Sequence, residues 1–300
     1  SIENVSLPHL SAALELYQAS ALVHDDIIDK ADERRGMPTP HRTLADYHAV
    51  QSWIGSSTDF GRHGAILVGD FLFSAATAAA DEQALALRED CARAFSRRFA
   101  DMHAEVALGQ YLDITAEQTP LDPERTDALS TSDSLEVALH KSAHYSVVHP
   151  ALLGAICGAS SFDCVADLLD VLETILTPWG LAFQLRDDDL GVFGDPAVTG
   201  KPAGDDLREG KRTALLALTW EASSPAERRA LTDVLGVADA SAEQIAAATD
   251  IVERNGRAAH EAEIVSLVAD GDAALEASTF DEGARAMLRE LCSILTARRS

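Results

Sequence analysis

Apolar residues recur at helical spacing along most of the chain. Long Ala- and Leu-rich stretches with charged residues every third or fourth position are typical of helices rather than strands. Gly, Ser and Pro interrupt the pattern in two stretches, 116–131 and 191–211, which are therefore predicted loops. Helices are predicted over residues 7–30, 64–80, 82–115, 134–160 and 163–189, with helix and loop over 41–64 and further helices over 213–298. The sequence predicts an all-α fold.

Composition narrows the possible partners. The chain shows no fixed repeat and no linker long enough to separate domains, so residues 1–300 are predicted to form a single domain. A net charge of −25 argues against nucleic acid or an anionic membrane surface as the main partner. A secretory signal and an uninterrupted apolar run of about 18 residues are both missing, which predicts no membrane span. Four cysteines without CxxC spacing favour a reducing cytoplasm.

Three carboxylates follow the apolar part of the first predicted helix. Asp25 and Asp29 are four residues apart, so they lie on one face of a helix with Asp26 beside them. Magnesium would relieve their mutual repulsion, because it prefers oxygen ligands and is commonly shared between carboxylates and substrate phosphates. Arg34 and Arg35 follow, and guanidinium groups suit bidentate phosphate binding. Taken alone, the segment is more typical of a solvated acidic helix end followed by a basic turn, because the chain is rich in Asp.

A second acidic cluster changes this interpretation. Asp187 and Asp188 again follow an apolar helical run, and Lys201 and Lys211 lie in the Gly- and Pro-rich segment after them. Each cluster is thus followed by cations that suit phosphates. The pair predicts two helices that face each other across one metal-diphosphate site.

These segments resemble a known family. HDDIID followed by RRGMPT, and FQLRDDD followed by TGKPAGDDLREGKRT, are similar to the two aspartate-rich motifs of the trans-isoprenyl diphosphate synthases, the polyprenyl synthetase family. GAILVGDFLF, GQYLD and HKSAHYSVVHPALLGA also follow the family's order, and the match is closest to bacterial geranylgeranyl diphosphate synthases. The resemblance implies an isoprenoid-synthase helical bundle with a central substrate cavity. It also implies a homodimer, for which the apolar stretch 64–80 is a candidate interface.

The resemblance further implies a reaction and its cofactor. Isopentenyl diphosphate would condense with an allylic diphosphate to give a longer trans-polyprenyl diphosphate, with C20 geranylgeranyl diphosphate as the expected product. Magnesium, at about three ions per active site, would stabilise the departing diphosphate. In the family an allylic carbocation forms and is attacked by the double bond of isopentenyl diphosphate, so no side-chain nucleophile is required.

Individual roles are carried over in the same way. Metal binding is assigned to Asp25, Asp26, Asp29, Asp187 and Asp188. Catalytic contacts are assigned to Lys141, Ser142, Gln184 and Lys201, and substrate diphosphate binding to Gln18, Arg34, Arg35 and Lys211. Each residue also has a structural interpretation: Lys141 alone is typical of a lysine lying along a helix surface, and Gln184 could satisfy a buried backbone group.

Chain length is assigned to the helix that carries the first motif. The growing tail is expected to run from Asp25 towards the N-terminus of that helix, where Ala21 and Tyr17 lie roughly 6 and 12 Å away at 1.5 Å per residue. Short-chain family members often carry bulky aromatics at the positions of Ser20 and Ala21. The small side chains here predict an open first turn, with Tyr17 closing the tunnel unless it is simply packed in the core.

Two departures from the family pattern are visible. The Gly-Lys-x-x-Arg-Pro motif that the family carries before the first acidic motif is missing, so the chain is expected to lack the family's N-terminal segment. The second motif ends in Gly191 where the family has Asp, and Asp195 is a candidate substitute. Two alternative functions stay open: a non-catalytic or regulatory subunit of a heteromeric prenyl synthase and, less favoured, a class I terpene cyclase.

Overall fold

The computed structural model describes residues 7–194, 204–237 and 239–296. These residues are predominantly helical with almost no strands, which confirms the predicted all-α fold. The helices are α1 (Pro8–Ile28), α2 (Pro40–Val50), α3 (Ser57–Leu85), α4 (Glu89–Gln118), α5 (Thr131–Ala138), α6 (His149–Gly158), α7 (Ala166–Phe193), α8 (Asp205–Glu209), α9 (Ala214–Ala222), α10 (Pro225–Thr232), α11 (Ala242–Asn255), α12 (Arg257–Ala277) and α13 (Glu282–Thr296). Strands β1 (Glu33–Arg34) and β2 (Met37–Pro38) form a small antiparallel pair.

The predicted helix over 134–160 is the largest departure from the sequence-based assignment. It consists of α5, a π-helix over Leu139–Val148, and α6. A π-helix has i→i+5 backbone hydrogen bonds and is rare beyond a single turn. The apolar pattern of this segment fits any helix type and carries no signal for the wider winding.

Polar side chains cap the starts of several helices. The Ser56 side chain accepts a hydrogen bond from the backbone N–H of Asp59 at the start of α3. Ser224 and Ser241 each form a capping box, with Glu227 and Gln244 respectively, at the starts of α10 and α11. Such caps satisfy backbone N–H groups that the first helical turn leaves unpaired. These caps therefore fix where α10 and α11 begin within the stretch 213–298.

The chain divides into two compact units. Unit 1 contains residues 1–99 and 153–165, and unit 2 contains residues 100–152 and 166–300. In unit 1, α3 packs against both α1 and α2. Gly61 permits the close contact with α2, since a Cβ there would lie 2.2 Å from the backbone oxygen of His41. The single-domain interpretation of the sequence stays a prediction.

Unit 2 is built around α7. This helix packs against α12 and against the π-helix. Trp179 of α7 is fully buried and donates a hydrogen bond from Nε1 to the backbone oxygen of Val268, at 3.3 Å. Gly271 of α12 makes room for that indole, because a Cβ there would lie 2.3 Å from Nε1. The close packing of α7 fixes the backbone that carries the second acidic motif.

Helix α3 has an unusual apolar surface. Within the described parts of the chain it has the length and hydropathy to cross a membrane, with an apolar window of mean hydropathy 1.3 that is only 22% buried. One such helix is a weak sign of membrane insertion, because core helices of soluble proteins pass the same criterion. Leu67 and Phe71 on this helix are 68% and 72% exposed. The expected absence of a membrane span, and the expected cytoplasmic location, stay predictions.

Candidate functional site

The first acidic motif lies at the C-terminal end of α1. Asp25 and Asp26 belong to the last turn, and Asp29 is the C-cap residue, whose backbone N–H donates to the backbone oxygen of Asp25 at 2.8 Å. Asp26 is 2% exposed, whereas Asp25 and Asp29 are half-buried on the adjoining face. Gln18 is also half-buried and precedes Asp25 by about two helical turns, so it shares this face.

A tight hairpin folds one of the two arginines back onto the motif. Arg35 and Gly36 have φ values of 54° and 72°, the left-handed conformation that a two-residue type I′ turn requires. The turn places Arg34 so that Nε donates to Asp26 Oδ1 at 2.7 Å and a terminal N–H donates to Asp25 Oδ2 at 3.1 Å. Arg35 is exposed at the tip of the turn. The arginines, adjacent in sequence, therefore have different environments.

The neighbouring aspartates keep the Arg34 guanidinium charged. Burial alone would lower the pKa of Arg34, but the neighbouring carboxylates of Asp26 and Asp25 outweigh burial and raise it. A charged Arg34 beside these aspartates offsets part of their mutual repulsion. It also leaves a cationic group at the place where the sequence predicts a substrate diphosphate.

The chain-length residues lie further along α1. Tyr17 is 6% exposed, and its ring centroid lies 6.3 Å from that of Phe73 and 6.4 Å from that of Phe99. The Ser20 hydroxyl donates to the backbone oxygen of Gly69 at 2.8 Å, so this side chain is turned towards α3. Ala21 is half-buried. Tyr17 is thus part of an aromatic cluster, while Ser20 is used in helix packing.

In unit 2 the GQYLD motif explains the position of Lys141. Gly109 of α4 lies directly against the π-helix, since a Cβ there would be 2.3 Å from the backbone nitrogen of Lys141. One turn later, Asp113 accepts a hydrogen bond from Lys141 Nζ in an ion pair that is largely buried. Ser142, the next residue, is half-buried. Lys141 is therefore a positioned cation with a carboxylate partner, and the surface-lysine interpretation is wrong.

The second acidic motif lies in the last turns of α7. Asp187 is exposed, whereas Asp188 is 7% exposed and accepts a hydrogen bond from Gln184 Nε2 at 2.8 Å. Burial, followed by the nearby carboxylate of Asp206, raises the pKa of Asp188 well above its ordinary value. Gln184 thus supports a carboxylate rather than the buried backbone group considered from the sequence. Asp189 is paired with Arg257 at 3.1 Å.

The glycine that ends this motif has a neighbour which the sequence did not reveal. A Cβ at Gly191 would lie 2.0 Å from Oδ2 of Asp206 and 2.4 Å from its Cγ. The half-buried Asp206 carboxylate therefore occupies the space beside residue 191. Asp195, which the sequence suggested as a substitute for the missing aspartate, lies outside the described ranges. The GDD run, whose two aspartates begin α8, was the available signal for Asp206.

The loop lysines complete the sequence-predicted set. Lys211 follows α8, and its Nζ lies 2.8 Å from Oε2 of Glu209. Lys201 lies outside the described residues, so its predicted role stays a prediction. Arg212, next to Lys211, donates to the backbone oxygen of Glu117 at 3.3 Å, and burial lowers its pKa. The aspartates of both motifs offer carboxylate oxygens, which are the ligands that magnesium prefers.

The family match follows from comparison with known sequences. The polyprenyl synthetase family model matches residues 3–252. The chain belongs to this family. Its members are generally magnesium-dependent prenyltransferases, so the sequence-based recognition of the family and of the enzyme class is confirmed.

Curated relatives and solved structures agree with this assignment. The chain is 32% identical over 248 residues to geranylfarnesyl diphosphate synthase of Aeropyrum pernix, a match that covers 82% of this chain and 68% of the relative. Geranylgeranyl diphosphate synthase of Saccharolobus solfataricus is 29% identical, with 82% and 65% covered. The matches thus span about two thirds of these relatives.

A solved structure is similar over nearly the whole chain. Geranylgeranyl pyrophosphate synthase of Corynebacterium glutamicum, complexed with isoprenyl diphosphate and magnesium, is 38% identical with a TM-score of 0.87. The likeness covers 97% of this chain and 79% of that one. It supports the isoprenoid-synthase type of helical fold that the resemblance implied.

Proposed function

We propose that this chain is a magnesium-dependent prenyltransferase that condenses isopentenyl diphosphate with an allylic diphosphate to give C20 geranylgeranyl diphosphate. The observation that carries the proposal is the paired set of acidic motifs, each supported by a polar neighbour, in a member of the polyprenyl synthetase family. The similar Corynebacterium enzyme was solved with isoprenyl diphosphate and magnesium. The relatives are synthases, which favours this function over a regulatory subunit or a terpene cyclase.

In this proposal the residues of the chain bind and orient the diphosphates. Asp25, Asp29 and Asp187 would hold magnesium, at about three ions per site, with Asp26 and Asp188 in support. Magnesium, when bound, supplies Lewis-acid stabilisation of the charge on the departing diphosphate. Arg34, Lys141, Gln184 and Lys201 would bind the allylic diphosphate, and Gln18 and Arg35 would bind isopentenyl diphosphate. Ser142 would face the developing cation, and Lys211 would close the phosphate site.

Two of the proposed diphosphate-binding cations, Arg34 and Lys141, are held in place by carboxylates. The Arg34 guanidinium is held by Asp25 and Asp26, and is therefore in place before substrate arrives. Lys141 is prepared in the same way by Asp113. Cations positioned in this way stabilise negative charge where it develops, because the side chains do not have to rearrange during the reaction.

The function and the product length are tested together. The full-length protein is incubated with magnesium, isopentenyl diphosphate and each allylic diphosphate in turn, and products are identified by mass. We expect a C20 product from the unmodified protein. Tyr17→Ala should lengthen the products, because it removes the ring that packs on Phe73 and Phe99, whereas Ala21→Phe should shorten them by filling the first turn.

The control for both variants is Ala21→Ser, which leaves the first turn small and should leave the product length unchanged. Absence of any condensation product in the unmodified protein would overturn the proposed activity. Unchanged product lengths in both Tyr17→Ala and Ala21→Phe would instead overturn only the chain-length role of α1.

We also expect a homodimer that pairs through α3. The exposed apolar side chains of this helix include Leu67, Phe71 and Phe73, and a second copy of the chain is an occupant that would cover them. Phe71→Asp should shift the protein from dimer to monomer in sedimentation velocity at micromolar concentration. Ile54→Asp is the matched control, since Ile54 is 99% exposed and lies outside α3. Monomeric behaviour of the unmodified protein would contradict the expectation.

A further inference from the structure

A second group of possible metal ligands lies in unit 2. Glu105 of α4 accepts hydrogen bonds from three imidazoles of the π-helix and the start of α6. Its Oε1 lies 2.6 Å from Nδ1 of His140 and 2.5 Å from Nδ1 of His144. Its Oε2 lies 2.7 Å from Nε2 of His149. The ligand atoms of Glu105, His140 and His144 all lie within 4.8 Å of one another.

The π-helix is what brings the three histidines together. His140 and His149 are nine residues apart, which is two and a half turns of an α-helix at 3.6 residues per turn, so an α-helix would place them on opposite faces. The backbone N–H of His149 instead donates to the oxygen of His144, five residues earlier. Spacings of four and five residues match this wider winding. A rare helix type therefore aligns His140, His144 and His149 along Glu105.

The surrounding contacts are those of an oriented metal site. Histidine ligands usually donate their second ring N–H to a carboxylate, which fixes the tautomer. His140 has this arrangement, because its Nε2 lies 3.2 Å from Oε2 of Glu136 while Nδ1 points to Glu105. Ligating carboxylates are themselves held by hydrogen bonds. His149, only 5% exposed, holds the second oxygen of Glu105 in this way.

We propose that Glu105, His140 and His144 bind a zinc ion, with Glu136 and His149 as the outer residues that orient the ligands. Two imidazole nitrogens and one carboxylate oxygen form a recognised zinc ligand set, with a fourth position left for water. The proton on each Nδ1 must move to Nε2 or to solvent before the nitrogen can bind metal. The Glu136 carboxylate accepts the resulting N–H of His140.

This ligand set discriminates against the magnesium of the proposed active site. Magnesium prefers oxygen ligands, whereas imidazole suits zinc and its first-row neighbours. The side chains of Glu105, His140 and His144 are 20%, 29% and 15% exposed, so an ion can reach the group from solvent. The metal ligands proposed in the two aspartate motifs are all carboxylates. The two ions would therefore occupy different places in the same chain.

Zinc binding is measured on the untagged, full-length protein in excess magnesium. Competition with a chromophoric zinc chelator should show one zinc ion per chain, and cobalt(II) should give the visible absorption of a low-coordinate nitrogen-oxygen site. His144→Gln and Glu105→Gln should each weaken zinc affinity by about 100-fold or more. His149→Gln should weaken it by roughly 10–100-fold, as expected for an outer residue.

His63→Gln is the matched control, since His63 is exposed and is not part of the group. It should leave zinc affinity unchanged. Zinc should also raise the melting temperature of the unmodified protein and not that of His144→Gln, because ligand binding stabilises only a folded site. If the unmodified protein binds zinc no more tightly than His144→Gln, the proposal is wrong, and Glu105 is only a hydrogen-bonded anchor for the π-helix. None of these readouts depends on prenyl transfer, so failure here leaves the proposed activity untouched.

Discussion

Asp25→Ala is expected to lower the rate of prenyl transfer by about 10²–10³-fold, the cost of one lost electrostatic contact to a developing charge. In the proposed site, Asp25 shares a metal with Asp29 one helical turn away. Removing its carboxylate would weaken stabilisation of the departing diphosphate. It would also release one of the two carboxylates that position Arg34. Both consequences act on the same diphosphate.

The folded state should survive this change. Arg34 keeps the shorter of its two contacts, the 2.7 Å hydrogen bond from Nε to Asp26, so no buried charge is left unpaired. The melting temperature of Asp25→Ala should therefore stay close to that of the unmodified protein. Steady-state rates are measured across a magnesium titration. Asp32→Ala is the matched control, because Asp32 is exposed, lies outside the motif and forms a surface ion pair with Arg42. Full activity of Asp25→Ala in the presence of a chelator would contradict the metal assignment.

Local sequence pattern was sufficient for the all-α fold and for the spacing of the first acidic motif. Apolar periodicity predicts α1, and a four-residue spacing on a helix places Asp25 and Asp29 on one face. The pairing of Arg34 with these aspartates was missed. The dipeptide Arg35-Gly36 carried the signal, since a glycine between two short extended segments is typical of a type I′ turn. Recognising the turn would have predicted that the chain folds Arg34 back towards α1.

The π-helix and the Glu105 group lay beyond sequence reasoning for a physical reason. Hydrophobic periodicity over 134–160 distinguishes helix from strand, but it does not separate a 3.6-residue winding from a wider one in so short a stretch. On an α-helix, His140 and His149 would lie on opposite faces, so nothing in their spacing groups them. The close approach of Gly109 to Lys141 is similarly a contact between helices. Spacing within either helix alone does not encode it.

The contact between Gly191 and Asp206 is likewise not encoded in local sequence spacing. From the sequence, residue 191 is an aspartate that the second motif has lost. In the structure, the carboxylate of Asp206 occupies the space that a side chain at residue 191 would fill. The buried Asp188 lies nearby. We infer that the local charge of the motif is kept by a residue from the following segment. A position-by-position comparison with a motif detects the missing aspartate but not the approach of Asp206 from a later segment.

Gly191→Asp, which restores the family motif, is therefore expected to impair the protein. All three atoms of the Asp206 carboxyl group lie within 3.0 Å of a Cβ at residue 191, so Asp206 must be displaced even by a single added carbon. Overpacking of this kind costs about 1–3 kcal/mol. A second carboxylate would also add negative charge next to Asp188, whose pKa burial and Asp206 already raise. We expect a lower melting temperature from the overpacking, and a lower kcat/KM because the carboxylates of the second motif are displaced.

The double variant Gly191→Asp/Asp206→Gly separates replacement from simple crowding. It leaves one carboxylate in the same region but supplies it from α7, as the family motif does. If Asp206 substitutes for the missing aspartate, the double variant should recover most of the stability and rate that Gly191→Asp loses, while Asp206→Gly alone should remain impaired. Such non-additivity is expected of residues that compete for one space, and a double-mutant cycle measures it directly. A Gly191→Asp protein as stable and active as the unmodified one, or a double variant no better than Gly191→Asp, would show that the Asp206 carboxylate has no part in the second motif.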